Sequence, residues 1–269
     1  MNDVPTPPPA ATFSALDLFR VDGQTAIVTG GANGIGRIAC LALAEAGAHV
    51  AVTDIDLESA ERTAEELRSV GRDASAHKLD VMVERDIVDA FKGIRSTTGR
   101  IDILVNNVGR SPRMATTEVP LAIWEEILRL NQTSMFLCCR EAAQAMLEQK
   151  SGAIVNISSI MGVTGGGAAP NLPYHATKGA VVNMTRSLAC EWADQGIRVN
   201  AIGPTYVKTD LTRPLLEQPE RVAYVESRTP LGRFAEVSEI AGGILYLASP
   251  AASMVTGHLL MIDGGWTAI

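Results

Sequence analysis

Two kinds of apolar patterning alternate along this chain. Short runs rich in β-branched residues predict buried strands at Thr25–Thr29, His49–Asp54, Ala74–Asp80, Ile101–Asn106, Ala153–Ser158, Arg198–Ile202 and Leu259–Ile262. Between them, apolar positions recur every three to four residues and predict helices, among them Ile35–Ala46, Glu58–Val70 and Gly179–Gln195. Strands separated by helices pair in parallel through right-handed crossovers, because a parallel pair needs a long return path. The expected architecture is α/β: a doubly wound seven-stranded parallel sheet flanked by helices, with ligands beyond the strands' carboxyl ends. No repeat and no composition shift follows residue 20, so residues 21–269 read as one domain. The preceding segment, beginning MNDVPTPPPAATF, reads as a flexible proline-rich arm over 1–20.

Composition narrows the class of partner. With 46% hydrophobic and 20% charged residues in 269, the chain reads as a soluble globular protein large enough to need no disulfide or metal staple. A formal charge of −7 argues against nucleic acid as a partner. No apolar run is long enough for a membrane span, and the N-terminus lacks the charged and apolar regions of a signal peptide. Cys40, Cys138, Cys139 and Cys190 form no C-x-x-C pair and read as buried, reduced thiols, which suits a cytoplasmic setting. His49, His77, His175 and His258 belong to no Cys/His cluster, so no metal is expected.

The first strand runs directly into Gly30-Gly31-Ala32-Asn33-Gly34-Ile35-Gly36 and then a helix. Glycines permit the tight turn and let backbone N–H groups approach a pyrophosphate, which the helix N-terminus favours electrostatically. The spacing is G-x-x-x-G-x-G rather than the commoner G-x-G-x-x-G. About twenty residues further on, Asp54 ends the second strand, where a carboxylate accepts both ribose hydroxyls of NAD and repels the 2′-phosphate of NADP. Asp56 competes for that role. No arginine immediately follows the strand, although Arg37 leaves an opening for NADP. NAD is therefore the expected cofactor. Asp80-Val81 and Asn106-Asn107-Val108-Gly109 close the third and fourth strands along the same edge and read as further cofactor contacts.

After the fifth strand comes Ser158-Ser159-Ile160-Met161-Gly162, and Tyr174-His175-Ala176-Thr177-Lys178 then opens a helix. Tyrosine and lysine four residues apart share one helical face. A free tyrosine, with a pKa of about 10, is a poor base at neutral pH, and a nearby cation would lower it. The motifs T-G-x-x-x-G-I-G at Thr29–Gly36, N-N-x-G, Asn131 in LRLNQTSMF, Ser159, Y-x-x-x-K and the terminal Asp263-Gly264-Gly265 together resemble the short-chain dehydrogenase/reductase family from about Val21 onwards.

That resemblance implies a single Rossmann-type domain and a four-residue machine. Tyr174 would exchange the hydroxyl proton while hydride passes to or from the nicotinamide. Lys178 would lower the phenol's pKa and bond the nicotinamide ribose. Ser159, with Ser158 as the fallback, would hold the substrate oxygen, and Asn131 would anchor a relay water. It further implies cofactor contacts from Gly30, Asn33, Gly34, Ile35, Gly36, Asp54, Asp80, Val81, Asn107, Gly109, Tyr174, Lys178, Pro204, Val207 and Thr209.

The sequence departs from the family pattern in three places. The interval from Ser159 to Tyr174 is longer than usual, Pro204-Thr205 stands for Pro-Gly, and N-N-V-G stands for N-N-A-G. Residues 205–234 would form a mobile lid over the substrate. ESRTPLGRF, GHLLMIDGGW and the longer serine–tyrosine loop resemble the branch acting on polyols, sugars and sugar acids, such as gluconate and galactitol dehydrogenases. Asn171, His175 and Arg213 are candidates for hydroxyl recognition. The alternatives are a 3-oxoacyl thioester reductase, a hydroxysteroid-type dehydrogenase and a non-catalytic dinucleotide sensor. The family commonly assembles as a homotetramer through helices matching Leu121–Gln149 and Gly179–Gln195, and through the C-terminal segment.

Overall fold

The structure, a computed structural model, describes residues 13–269. The elements follow in the order β1 (Thr25–Thr29), α1 (Gly34–Glu45), β2 (His49–Asp54), α2 (Leu57–Ser69), β3 (Ala74–Lys78), α3 (Glu84–Thr98), β4 (Ile103–Asn106), α4 (Leu121–Leu128), α5 (Ser134–Gln149) and β5 (Gly152–Ile157). Then come α6 (Leu172–Trp192), β6 (Ile197–Pro204), α7 (Arg213–Leu216), α8 (Pro219–Arg228), α9 (Ser238–Ala248) and β7 (Leu259–Ile262). The seven strands form one sheet in the order β3-β2-β1-β4-β5-β6-β7, every neighbouring pair parallel. The chain leaves β1 towards β2 on one side and returns to pair β4 on the other. The crevice at that reversal opens beyond the strands' carboxyl ends.

Parallel strands covered on both faces must be apolar on both. In β1 all five residues are buried: Ala26 and Val28 pack with Leu43 of α1 and Ile244 of α9, while Ile27 faces Phe91 of α3 and Met146 of α5. A third cluster joins Leu215, Val225, Phe234 and Trp266 to Ile160 and Met161, seating α7 and α8 against the sheet's carboxyl edge.

The expected elements all occur, and their ends shift. β3 stops at Lys78 instead of Asp80 because Asp80 turns the chain, its carboxylate accepting the Met82 N–H at 2.8 Å. β4 begins at Ile103, since Asp102 is occupied with the Thr25 N–H at 2.8 Å. β5 spans Gly152–Ile157, one residue earlier than expected. β6 extends to Pro204, paired with Ile262 of β7. Helix α6 starts at Leu172 and ends at Trp192, with a 3₁₀ turn over Ala193–Gln195. The helix expected over Leu121–Gln149 is continuous but carries a π turn at Arg129–Thr133, between α4 and α5.

Of the arm expected over 1–20, residues 1–12 lie outside the described residues. Asp17–Phe19 forms a 3₁₀ turn, with Phe19 6.4 Å from the Tyr246 ring. Cys40, Cys138 and Cys139 are buried, but Cys190 is exposed, on the outer face of α6, and corrects the expectation of four buried thiols. No helix among the described residues is long and apolar enough to cross a membrane.

Candidate active site

The glycine loop joining β1 to α1 forms one lip of the crevice. Gly30 has φ 63° and Gly34 φ 53°, left-handed values that glycine adopts without strain. Gly36 is required for another reason: a Cβ there would lie 1.9 Å from the Gly30 carbonyl oxygen. Asn107, following β4, locks the loop from behind, its amide donating to the carbonyls of Thr29 at 3.2 Å and Gly30 at 3.1 Å.

Asp54 ends β2 facing the loop, where its carboxylate accepts the Ala32 N–H at 3.2 Å and the Asp56 N–H at 3.1 Å. Its competitor Asp56 is the N-cap of α2, accepting the Ser59 N–H at 3.2 Å. Arg37, the residue that kept NADP open, is ion-paired with Glu66.

A cavity of about 440 Å³ extends from Asp54 past the loop to the ends of β4, β5 and β6. That is the size of a ligand site. The proposed cofactor residues all line it except Gly36, whose part is to let the loop and helix touch.

At the far end Ser159, Tyr174 and Lys178 line the same cavity. Ser158 donates to the Lys178 carbonyl at 3.0 Å, which leaves Ser159 as the serine facing inward. The Ser159 oxygen accepts the Met161 N–H at 3.1 Å, capping the 3₁₀ turn Ile160–Gly162 and leaving the hydroxyl proton to face Tyr174. Tyr174 and Lys178 lie in the first two turns of α6, with the ammonium 5.5 Å from the phenol ring centroid. Lys178 is buried and donates to the Ile157 carbonyl at 2.6 Å.

Burial raises the Tyr174 phenol above its ordinary range, and it outweighs the Ser159 hydroxyl and the Arg113 guanidinium, which both pull it down. Lys178, expected to supply such a pull, stands beside the phenol with its ammonium also donating to a backbone carbonyl. Burial lowers Lys178 itself to about 8 from 10.5. Its folded-state pKa being the lower, the unfolded chain binds more protons between those values. Stability therefore gains fully only above pH 10.5 and loses that gain as pH falls to about 8. Replacing Lys178 by methionine should raise stability at neutral pH by about 1–2 kcal/mol, after the lost bond to Ile157 is subtracted. Thermal melts across pH check this; a destabilised Lys178→Met protein at neutral pH would refute it.

Asn131 sits in the π turn and is fully buried, outside the cavity lining. Its side chain clasps the Arg110 backbone, accepting the N–H at 2.8 Å and donating to the carbonyl at 2.9 Å, and reaches the Thr177 hydroxyl at 3.1 Å. A π turn leaves main-chain groups out of the regular helical pattern, so a relay water anchored here would meet backbone rather than the amide.

The three candidates for hydroxyl recognition separate. Asn171 and His175 line the cavity, whereas Arg213 is exposed and paired with Asp210, which removes it from the site. The sequence reading missed Arg113. This residue has φ 52°, lines the cavity beside Tyr174, and donates to the Leu211 carbonyl at 2.8 Å. It has no carboxylate partner among the described residues. No motif pointed to it, since the loop after N-N-V-G has no periodicity. The segment over 205–234 contributes Tyr206, Val207, Thr209 and Leu215 to the cavity wall.

A family model described as Enoyl-(Acyl carrier protein) reductase matches residues 30–267. The chain is similar to 5-keto-D-gluconate 5-reductase of Escherichia coli K12, 37% identical over 249 residues, covering 93% of this chain and 97% of that protein. It is 38% identical over 250 residues to galactitol 2-dehydrogenase (L-tagatose-forming) of Cereibacter sphaeroides, covering 93% and 97%. Among solved structures, a gluconate 5-dehydrogenase from Burkholderia cenocepacia, in complex with NADP and tartrate, superposes with a TM-score of 0.92 at 35% identity, covering 95% of this chain and 100% of the other. Sheet order, glycine loop, the serine–tyrosine–lysine cluster and these likenesses agree: the chain belongs to the short-chain dehydrogenase/reductase family.

Proposed function

We propose that this protein is an NAD(H)-dependent oxidoreductase that interconverts a secondary alcohol and a ketone on a polyol, sugar or sugar acid. The observation that carries the reading is one continuous cavity with Asp54 at one end and Ser159, Tyr174 and Lys178 at the other. When bound, the dinucleotide supplies or accepts the hydride. In reduction the Tyr174 hydroxyl gives its proton to the carbonyl oxygen, and in oxidation the phenolate receives it back. Ser159 donates a hydrogen bond to the same oxygen as charge develops there. Lys178 holds the nicotinamide ribose, and the Asn131 clasp keeps the loop at Gly109 and Arg110 in place.

The relatives act, by their names, on a keto sugar acid and on a polyol. Arg113 favours an acid, since a half-buried guanidinium without a carboxylate partner suits an anionic substrate group. Covering by the lid segment, a homotetramer and a cytoplasmic setting complete the proposal. Exposed Phe136 and Leu147 on α5 suit an assembly surface.

NADP is the second reading, favoured by the Burkholderia relative solved with it. Against it, Asp54 would repel a 2′-phosphate, and no lysine or arginine among the described residues lines the Asp54 end of the cavity. Reduced-nicotinamide absorbance with D-gluconate, 5-keto-D-gluconate, galactitol and threitol, each with both dinucleotides, tests the whole. NAD(H) turnover of at least one is expected. Asp54→Ala should weaken NAD about tenfold or more and narrow its advantage over NADP. An unchanged cofactor preference would mean that another residue reads the ribose.

A further inference from the structure

Among the described residues, three buried side-chain polar atoms have no hydrogen-bond partner: Arg72 Nε, His175 Nε2 and Thr205 Oγ1. Arg72 is a surface ion-pair residue, bonded to Glu45. The other two both line the catalytic cavity, His175 beside Tyr174 on α6 and Thr205 directly after β6. Buried polar atoms in folded proteins are nearly always satisfied, so two orphans in one wall system call for a partner from outside the chain.

Their chemistry specifies that partner. His175 Nδ1 lies 2.8 Å from the Asn171 carbonyl oxygen. A carbonyl only accepts, so Nδ1 carries the proton and Nε2 of the neutral ring presents a bare lone pair. Asn171 is itself held, its amide donating to the Ser111 hydroxyl at 2.6 Å, which fixes the helix start that aims the ring. The Thr205 N–H donates to the Ile262 carbonyl at 3.1 Å, so its backbone is engaged and only the hydroxyl is free. The cavity therefore offers one obligate acceptor and one donor–acceptor.

We propose that His175 and Thr205 are specificity-determining residues that together bind a substrate hydroxyl on the carbon next to the reacting one, Nε2 accepting from it and the threonine hydroxyl donating to it. This rests on the alcohol–ketone chemistry proposed above. It selects a vicinally hydroxylated substrate, because a 3-oxoacyl thioester or a simple secondary alcohol has no hydroxyl on the neighbouring carbon to give Nε2. A site with polar groups set for hydroxyls discriminates against a substrate lacking them, since those groups then stay buried and unpaired.

The test compares butane-2,3-diol with butan-2-ol, which differ by one neighbouring hydroxyl, in wild type, Thr205→Val and His175→Phe. Each variant should lose about tenfold of the preference for the diol, with butan-2-ol turnover and NADH affinity within about twofold of wild type. His175→Gln, whose side-chain oxygen can accept in place of Nε2, should recover most of it. An unchanged preference would mean that water serves both atoms, and equal losses on both alcohols would mean a merely structural role. Weaker NADH binding in Thr205→Val would assign that hydroxyl to the cofactor; each of these results overturns the proposal. A readout independent of turnover is the imidazole ¹⁵N spectrum of the NADH-loaded protein, with four histidines to assign. Galactitol should shift His175 Nε2, and an unmoved resonance at saturating galactitol would refute the assignment. Absence of all turnover with either dinucleotide would instead defeat the activity itself.

Discussion

Tyr174→Phe binds NADH with nearly unchanged affinity and loses alcohol oxidation and ketone reduction together, kcat falling by about 10³-fold or more. The substitution removes one oxygen and leaves the ring where it packs among Ile160, Met161 and Trp266. What disappears is the group that exchanges the substrate proton, and general acid–base groups of this kind contribute about 10²–10⁴-fold. Ser159 and Lys178 remain, but a serine hydroxyl is a poor acid and Lys178 is held against the Ile157 carbonyl. The pH profile separates this from simple damage. Burial raises the phenol above its ordinary 10.0, so wild-type oxidation continues to climb through the alkaline range as phenolate forms. In the variant that climb is lost, while the change around 8 belonging to Lys178 persists. Residual activity above a few per cent of wild type, or a retained alkaline climb, would remove Tyr174 from its role.

The second large effect comes from a single methyl group. In Gly36→Ala the new Cβ would start 1.9 Å from the Gly30 oxygen and 2.7 Å from the Asn107 amide nitrogen. Both contacts are too close to persist. The nearer one is backbone, so the glycine loop and α1 must separate. Two consequences follow from one displacement. The N–H groups at the start of α1 leave the position in which they can meet a pyrophosphate, and NADH affinity falls by about 100-fold or more. The bonds from Asn107 to Thr29 and Gly30 are strained, and stability drops by about 1–3 kcal/mol. Calorimetric titration with NADH and a thermal melt measure the two separately. A Gly36→Ala protein with wild-type affinity would mean that the loop yields without disturbing the cofactor site.

What the sequence made legible, and what it hid, divides along physical lines. Strand identity was readable because a sheet covered on both faces demands a short run of apolar or β-branched residues, as in Thr25–Thr29, where all five are buried. Strand ends were not, because Asp80 and Asp102 end or delay their strands through side-chain bonds to backbone N–H groups, one set by a local turn and the other distant in sequence. The tyrosine–lysine pair was readable since helical spacing alone puts both on one face. Lys178's bond to Ile157 was not, because it joins residues twenty-one apart across the sheet edge. Arg213 and Arg113 show the same limit. Both are arginines in loops near the cavity, and only the fold decides that one pairs with Asp210 outside while the other turns inward. Between the adjacent serines, only the fold shows that Ser158 spends its hydroxyl on the Lys178 carbonyl.

The π turn at Arg129–Thr133 has a bearing on how this chain can vary in length. An α-helix advances by about 100° per residue, so one extra residue in a turn is a phase shift for everything beyond it. Residues before the turn place Ile127 in the core, and residues after it place Leu137, Cys138 and Met146 there. Deleting one residue between 129 and 133 would restore a regular helix and rotate one of those two faces out of the interior, or swing Asn131 away from the Arg110 backbone. The irregularity thus acts as a phase adjuster between two rigid half-helices, one fitted to α6 and the other to the sheet. Single-residue gaps are excluded from this stretch even though a helical surface generally accepts substitution freely.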